Sequence, residues 1–259
     1  RSNRYFPHIE KVLKQNHMPD DLKYIAVIES ALRPHAGSSK GAVGFWQFIR
    51  STGRHYGLQI DEGKDQRRNI FASTGAAVKY FKVLHNMFGS WALAAAAYNM
   101  GEEGLQAEIS LQEVYDYYRL YLYLETQRYL FKAVSAKLIL SNPEKYGFRI
   151  SAEDLYLPLV FDRVTIDVKR ETPIRLVALA AQTDFKAIKD LNPELRRHHI
   201  SKGSHSLLIP KGSGNTFYAR FEKLQNSWLD RLSGRFYVVK KGDNLSMIAE
   251  RSGVPVAAL

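Results

Sequence analysis

One glutamate, Glu29, stands where a carboxyl group could act as an acid. It belongs to segment 22–30, Leu-Lys-Tyr-Ile-Ala-Val-Ile-Glu-Ser, which predicts an apolar helix that begins after the Pro-Asp-Asp sequence of 19–21. Ile25 and Leu32 fall about one turn to either side of Glu29, so its neighbours on that face are apolar. A poorly solvated carboxyl group tends to keep its proton near neutral pH, as a general acid requires. The alternative is a buried glutamate with a structural hydrogen bond.

Two further motifs follow Glu29 and the serine beside it. Segment 41–48 reads Gly-Ala-Val-Gly-Phe-Trp-Gln-Phe, and segment 97–101 reads Ala-Tyr-Asn-Met-Gly. The order Glu-Ser, Gly-x-x-Gln and Ala-Tyr-Asn resembles the catalytic domain of the goose-lysozyme-like (family 1) lytic transglycosylases, above all their membrane-bound members. The likeness covers roughly residues 5 to 148. It implies a mainly α, lysozyme-like fold and cleavage of peptidoglycan.

The resemblance implies an enzyme with a single catalytic carboxylate. Glu29 would protonate the bond between N-acetylmuramic acid and N-acetylglucosamine. It would then take a proton from the muramic acid C6 hydroxyl, which closes onto C1 to give a 1,6-anhydromuramoyl end. The acetamido group of the sugar would stabilise the cationic centre, where most glycosidases use a second carboxylate. No cofactor is implied.

The same resemblance assigns roles to residues in and after the first two motifs. Ser30 would hydrogen-bond near the acid, and Ser38 would touch the substrate. Gln47 would hydrogen-bond an acetamido or backbone group in the cleft. Tyr98 would orient the acid or the reacting sugar, and Asn99 would hold the local loop. The alternative for Tyr98 is a packed tyrosine at the end of an alanine-rich helix.

A later segment, 124–129, reads Leu-Glu-Thr-Gln-Arg-Tyr and is similar to a family segment that lines the saccharide groove. In that position Glu125 and Tyr129 would lie along the groove near the acid. The alternative for Glu125 is a helix salt bridge with Arg128 or Lys132, worth only a few tenths of a kcal/mol.

Other polar and aromatic side chains admit a structural explanation. Trp46 would line a sugar subsite or pack in the core, and its type and motif favour the core. The carboxylates of segments 61–65 and 102–103 have no role in the family, and solvated surface or a helix start explains them. A hydrolytic muramidase that uses one of them as a second carboxylate is the rival within the enzyme class. An inactive peptidoglycan-binding scaffold is the rival outside it.

The composition of the chain limits the kinds of partner that we expect it to bind. The 259 residues carry a net charge of +11, which favours anionic partners. Because the Lys and Arg residues are scattered and no helix-turn-helix, zinc-finger or RNP pattern occurs, we expect the bacterial wall as partner and no nucleic acid. The absence of cysteine excludes disulfides and thiolate chemistry. His198, His199 and His205 have no carboxylate at ligand spacing, so we expect no metal site.

The cellular location follows from the resemblance alone. No apolar run reaches the length of a membrane span, and the sequence from Arg1 shows no signal-peptide pattern. The resemblance nevertheless implies export to the periplasm and the cell envelope. A signal, or a lipid anchor that attaches the protein to the outer membrane, is expected outside these residues.

Changes in the pattern of residue types along the sequence divide the chain into three segments. Residues 1–150 predict a helical catalytic domain, because apolar residues recur at three- and four-residue spacing between breaks at glycine or proline. Its last helix is predicted from about Tyr121 to Leu140. Residues 151–232 predict a strand, two helices and a closing strand, followed by a linker.

The two C-terminal segments resemble LysM modules, small α+β folds that bind N-acetylglucosamine polymers. Segment 151–232 has the βααβ order but lacks the opening glycine-aspartate signature, so a structural appendage and a functional binder are both open. Residues 233–259 are similar to the N-terminal half of a second module, truncated at Leu259. Half a module has too few elements to bury its own core.

Overall fold

Helices make up more than half of the first 141 residues. The computed structural model of the protein describes residues 1–233, 237–253 and 256. The bounds of the helices in this first part are α1 Ser2–Gln15, α2 Lys23–Ser30, α3 Arg50–His55, α4 Ile70–Phe88, α5 Trp91–Met100, α6 Glu102–Gln112, α7 Leu124–Gln127 and α8 Tyr129–Ser141.

The longest of these helices, α4, forms the centre of the helical domain and packs against α1 and α5. It begins at Asn69, whose Oδ1 accepts hydrogen bonds from the backbone N–H groups of Phe71 and Ala72 at 2.9 and 3.0 Å. It ends at Gly89, which adopts a left-handed conformation. Both helix ends therefore follow from their residue types.

Aromatic side chains fill the core of the helical domain. Phe45, Trp46 and Phe81 are each 1% exposed. The indole Nε1 of Trp46 donates to Thr74 Oγ1 at 3.0 Å, which satisfies the polar atom that this residue buries. Trp46 is therefore a core residue, as its type and motif favour.

Two predicted helices differ from the observed ones at their starts. The helix predicted over 22–30 is α2, preceded by a 3₁₀ turn at Asp20–Leu22 that carries no side-chain cap. The predicted start of the last helix near Tyr121 is wrong, because residues 113–123 are not helical and α8 begins at Tyr129. The Tyr117 hydroxyl donates to the carbonyls of Thr126 and Gln127, both at 2.8 Å, and so holds the chain at this break.

A second unit follows, built on a two-stranded antiparallel sheet. Its elements are β1 Phe161–Val168, β2 Thr172–Pro173, α9 Ile174–Ala180, α10 Phe185–Leu191, β3 His199–Ile200, β4 Gly203–Pro210 and α11 Gly214–Ser233. The register of β1 and β4 runs from Phe161 opposite Pro210 to Val168 opposite Gly203. Alternate residues of β1 are buried, as the alternating sequence predicts. The βααβ order is confirmed.

The second unit has its own core, to which α11 contributes Phe217 and Phe221. Sequence reasoning did not predict this helix after β4. A further polar anchor is Asn192, which is fully buried. Its Nδ2 donates to the carbonyls of Ile188 and Leu208, at 2.8 and 2.7 Å, and its Oδ1 accepts from Leu208 N at 2.8 Å.

The last described element is α12, Leu245–Ser252, capped by Asn244, whose Oδ1 accepts from Met247 N at 2.9 Å. It corresponds to the first helix expected of the second LysM-like segment. Residues 236, 254 and 255, which belong to the LysM-like pattern, lie outside the described residues. Among the helices that the structure describes, none combines the length and apolarity needed to cross a bilayer.

Candidate active site

Glu29 lies near the C-terminal end of α2, a helix whose Tyr24, Ile25 and Ala26 are buried. The helix ends abruptly at Ala31, which has a left-handed conformation with φ of 50°. Glu29 is half-buried and lines a cleft of about 950 Å³. Because α2 is buried, it places the Glu29 carboxyl group in apolar surroundings at the wall of a large open cleft.

The surroundings favour the protonated form of Glu29. Burial raises the pKa of the Glu29 carboxyl above its usual range, and the neighbouring charge of Glu125 raises it further. A hydrogen bond from Tyr129 and the charge of Lys132 act in the opposite direction, and burial outweighs them. The group thus holds its proton to a higher pH than an exposed glutamate does.

Tyr129, the first residue of α8, contacts the Glu29 carboxyl group directly. Its hydroxyl donates a hydrogen bond to Glu29 Oε1. The Tyr129 side chain is buried, and burial and the charge of Glu29 raise the pKa of its hydroxyl well above its usual value. The hydroxyl therefore stays protonated and keeps donating, which fixes one carboxyl oxygen and leaves the other available.

Tyr98 and Asn99 reach the cleft from the end of α5. The Tyr98 ring stacks on Phe81 with centroids 4.5 Å apart, and its hydroxyl donates to the Trp46 carbonyl at 2.6 Å. Its hydroxyl is therefore bonded to the core loop, while burial and the nearby charge of Glu29 raise its pKa. Asn99 Oδ1 accepts from Thr126 Oγ1 at 2.8 Å, which ties α5 to α7.

The loop between α2 and α3 supplies a further wall of the cleft. Gln47 has a left-handed φ of 48°, and its Nε2 donates to the carbonyls of Ala36 and Gly44 at 3.2 and 2.8 Å. Ser38 Oγ accepts from Ala42 N at 3.2 Å. Both side chains stabilise the loop and also line the cleft, where the Gln47 carbonyl oxygen and the Ser38 hydroxyl have hydrogen-bonding capacity left.

A buried ion pair lies behind this loop. Burial alone would raise the pKa of the Asp65 carboxyl, but hydrogen bonds and charge from Arg67 outweigh burial and hold it below its usual range. Arg67 Nη1 donates to the carbonyls of Gly41 and Phe48, each at 3.0 Å. Gly44 packs so closely that a Cβ there would lie 1.9 Å from Arg67 O. The expectation of a solvated Asp65 is therefore wrong.

Eight residues were predicted for the site, and six of them line the same cleft: Glu29, Ser38, Gln47, Tyr98, Asn99 and Glu125. Tyr129 contacts Glu29 through its hydroxyl group. Ser30 does not reach the cleft, because it is buried and its hydroxyl donates to the carbonyls of Ala26 and Phe45 at 3.0 and 2.8 Å.

The remaining carboxylates fall into two groups. Asp61 closes a turn through hydrogen bonds from the N–H groups of 63 and 64, and Glu62 pairs with Arg197. Glu102 and Glu103 instead line the cleft. None of the ion pairs among the described residues involves Glu125, so the salt-bridge alternative for it is not observed.

Among the cleft residues that sequence reasoning missed is Tyr80, whose hydroxyl donates to Glu102 Oε2 at 2.6 Å. Its apolar spacing in α4 marked it only as core. Within the described ranges, no three His, Cys, Asp or Glu side chains converge to hold a metal ion. His205 is buried, with its Nε2 2.8 Å from the Ser201 carbonyl oxygen.

Comparison with known families covers most of the chain. Residues 6–120 match the transglycosylase SLT domain, residues 163–226 the LysM-like domain of lytic transglycosylase MltD, and residues 237–259 the LysM domain. The chain therefore carries a transglycosylase SLT domain followed by LysM-type segments. The predicted family and the predicted lysozyme-like, mainly α fold class with small LysM-like units are thereby confirmed.

This chain is also similar to individual known proteins. It is 32% identical to membrane-bound lytic murein transglycosylase D of Escherichia coli (strain K12) over 98% of its own length and 58% of that protein's. Peptidoglycan transglycosylase gp16 of Escherichia phage T7 is 38% identical over 85 residues, 32% of this chain and 6% of the phage protein. The structure of the 70 kDa soluble lytic transglycosylase from Escherichia coli is 19% identical, with a TM-score of 0.45, over 58% of this chain and 26% of that one.

Proposed function

We propose that this lytic transglycosylase cleaves the β-1,4 bond between N-acetylmuramic acid and N-acetylglucosamine of peptidoglycan by intramolecular transglycosylation. One observation carries the proposal. Glu29, a half-buried carboxyl group with a raised pKa, faces a cleft of about 950 Å³ while a buried tyrosine hydroxyl holds one of its oxygens. The chain spans just over half the length of the E. coli relative, 58%, so the activity is proposed for these residues on their own geometry.

The first step uses Glu29 as an acid. Protonated Glu29 donates its proton to the glycosidic oxygen, the bond from that oxygen to C1 of muramic acid breaks, and the N-acetylglucosamine end leaves as an alcohol. The positive charge that develops at C1 is stabilised by the acetamido oxygen of the same sugar. The raised pKa of Glu29 supplies the proton at a pH where an exposed glutamate has lost it.

The second step uses the same residue as a base. The muramic acid C6 hydroxyl attacks C1 and passes its proton to the Glu29 carboxylate, so the acid is regenerated and the 1,6-anhydro ring closes. Tyr129 accompanies both steps, because its hydroxyl donates to Glu29 Oε1 whether the carboxyl is charged or neutral. No second carboxylate and no water enter the balance of the reaction.

The other cleft residues bind and position the glycan in this proposal. Ser38, Gln47 and Glu125 offer hydrogen-bonding groups along the wall, and Tyr98 and Asn99 fix the end of α5 beside the acid. Ser30 acts as a positioning residue, since its bond to the Phe45 carbonyl ties the acid-bearing helix to the loop of Gln47.

A hydrolytic muramidase is the second candidate, favoured by one observation. Glu102, Glu103 and Glu125 line the same cleft as Glu29, so a second carboxylate is available to activate a water. The Glu102 carboxylate is held in place by a hydrogen bond from the Tyr80 hydroxyl at 2.6 Å. The two candidates give different products from the same substrate.

The C-terminal units and the location complete the proposal. Residues 163–226 and 237–259, which match LysM-type domains, would hold the enzyme on glycan strands of the wall. The enzyme would act in the cell envelope on its periplasmic side, and association with the outer membrane would come from a segment outside these residues.

Digestion of purified sacculi, followed by mass spectrometry of the released muropeptides, tests the proposal. Products lighter by one water than their reducing-end counterparts are expected. Reducing muramic acid ends would instead establish hydrolysis, and Glu102→Gln would then identify the second carboxylate. Binding to sacculi with no release at all would leave only the scaffold. Glu29→Gln serves as the matched control, because it preserves the hydrogen bond from Tyr129 without supplying an acid.

A further inference from the structure

The LysM-like unit and the helical domain meet along a pair of backbone segments. Asp65 N donates to Glu194 O and Arg196 N donates to Gly63 O, both at 2.8 Å, around an antiparallel bridge between Lys64 and Leu195. Leu195 is 4% exposed. The LysM-like unit is therefore joined to the helical domain by backbone hydrogen bonds, and the two are not merely connected by a flexible linker.

A buried carboxyl group lies at the centre of this junction. Glu194 is 2% exposed, and its Oε1 accepts from Asn69 Nδ2 at 2.8 Å. Burial raises the pKa of this carboxyl above its usual range. Its partner Asn69 is also the N-cap of α4, the central helix of the catalytic domain.

The junction is connected to the cleft by a short series of hydrogen bonds. The residue whose N–H binds the Glu194 carbonyl, Asp65, accepts from Arg67 through both carboxylate oxygens at 2.9 and 2.7 Å. Arg67 in turn donates to the carbonyls of Gly41 and Phe48. Those two carbonyls bracket the loop that carries Gln47 into the cleft.

We propose that the LysM-like unit, residues 161–233, is a brace that positions the cleft loop, residues 36–49, through the contacts of Glu194. In this role Glu194 is a positioning residue of the transglycosylase, and the inference rests on the proposed function. The LysM-like unit thus affects the reaction by holding the cleft loop in position, in addition to binding any glycan. Two buried residues, Asp65 and Arg67, connect the LysM-like unit to the cleft loop by hydrogen bonds.

Hydrogen exchange of the full chain tests the brace without any need for catalysis. The amides of Ser38, Val43 and Gly44 donate to carbonyls within the loop and report on its opening. We expect Glu194→Ala to speed their exchange by about 5-fold, because loss of the buried bond to Asn69 loosens the Glu194 backbone, whose carbonyl accepts from Asp65 N. Glu194→Gln keeps an acceptor for Asn69 and is expected to stay within about 2-fold of the unmodified protein.

Two further variants sharpen the measurement. Asn69→Ser removes the donor to Glu194 but keeps a helix-capping oxygen, so it breaks the same link from the catalytic side. It is expected to act like Glu194→Ala, and it decides the test if Glu194→Ala fails to fold. Glu62→Ala removes an 85% exposed carboxylate that pairs with Arg197 at the same junction, and it should leave the loop amides unchanged.

Unchanged loop exchange in both Glu194→Ala and Asn69→Ser would overturn the brace, whatever happens to the amides of the junction itself. Release of anhydro products from sacculi supplies the second readout. We expect it to fall with Glu194→Ala and to recover with Glu194→Gln. If the unmodified protein releases no anhydro products, the proposed function fails, while the exchange result still decides the brace.

Discussion

Glu29 and Glu194 are both glutamates that the protein buries, in two regions that use them differently. Burial raises the pKa of each, and each accepts a hydrogen bond from a neutral donor, Tyr129 in the cleft and Asn69 at the junction. Glu29, however, opens into a cleft of about 950 Å³, whereas Glu194 is 2% exposed between two domains. A raised pKa therefore marks poor solvation, and access to substrate separates an acid catalyst from a structural group.

The sharpest way to break this comparison is to make the same substitution in both regions. Glu29→Gln is expected to lower cleavage of sacculi by about 10² to 10⁴-fold, the usual worth of a general acid or base. Glu194→Gln likewise removes a carboxyl group whose pKa is raised by burial, but this variant is expected to retain most of the activity. The measurement is the rate of anhydromuropeptide release at matched protein concentration.

Circular dichroism on both variants controls for folding. Comparable loss of activity in the two folded proteins would contradict the distinction by access. Activity retained by Glu29→Gln would rule out the mechanism with a single acid and base.

A smaller effect is expected from the hydroxyl that holds the acid. Tyr129→Phe leaves the ring but removes the donor to Glu29 Oε1, and misplacement of the carboxyl should slow cleavage by about 10- to 100-fold. Since that hydrogen bond lowers the pKa of Glu29, its removal should raise the pKa. The alkaline limb of the pH–rate profile, where Glu29 loses its catalytic proton, should therefore move to higher pH.

Tyr24→Phe is the matched control, because Tyr24 is a buried tyrosine of the acid-bearing helix α2. Its pH–rate profile should coincide with that of the unmodified protein. An unchanged alkaline limb in Tyr129→Phe would show that the hydroxyl does not influence the ionisation of Glu29.

The two regions also differ in how far the sequence predicts them. The cleft was predictable because Glu29 sits in an apolar helix and Gln47, Tyr98 and Asn99 recur in family order. Their roles stay predictions, although the structure brings them to one cleft. Glu194 carried no local signal, because its burial comes from a domain contact that joins positions far apart in the chain.

Helices were predictable where apolar spacing is regular, and α8 shows why their boundaries were not. The tyrosine-rich stretch before it continues an apolar pattern, but Tyr117 bonds two carbonyls and breaks the helix by tertiary contact. Likewise α11 was not predicted, although Phe217 and Phe221 have the spacing of a helix face. Asp65 was misread as solvated because nothing local marks its pairing with Arg67 in the interior.

The third prediction asks whether the LysM-like unit is stable enough to serve as a brace. Asn192→Ala removes a fully buried amide and leaves Leu208 N and two carbonyls without their partner. The expected cost is about 2 to 4 kcal/mol in the free energy of unfolding of that unit. Hydrogen exchange of the paired amides of β1 and β4, which lie in this unit, measures it.

Asn215→Ala, an exposed substitution in the same unit, should change stability by less than about 0.5 kcal/mol. Equal effects of the two substitutions would contradict the role of Asn192 as a buried anchor. If Asn192→Ala also speeds exchange in loop 36–49, the unit and the cleft are coupled as the brace requires.

The smallest expected effect is a pH dependence of stability that both glutamates share. Because their pKa values are raised in the folded state, the folded protein keeps protons that the unfolded chain has already released above the usual glutamate pKa. Stability therefore falls as pH rises from the unfolded pKa through the folded pKa, and glutamine at either position removes that loss. Glu29→Gln and Glu194→Gln should each raise the melting temperature relative to the unmodified protein at pH 8, with the advantage shrinking toward pH 4. If the advantage grew toward acid pH in either variant, the pKa of that glutamate would be lowered by folding, and the shared property on which the comparison rests would be lost.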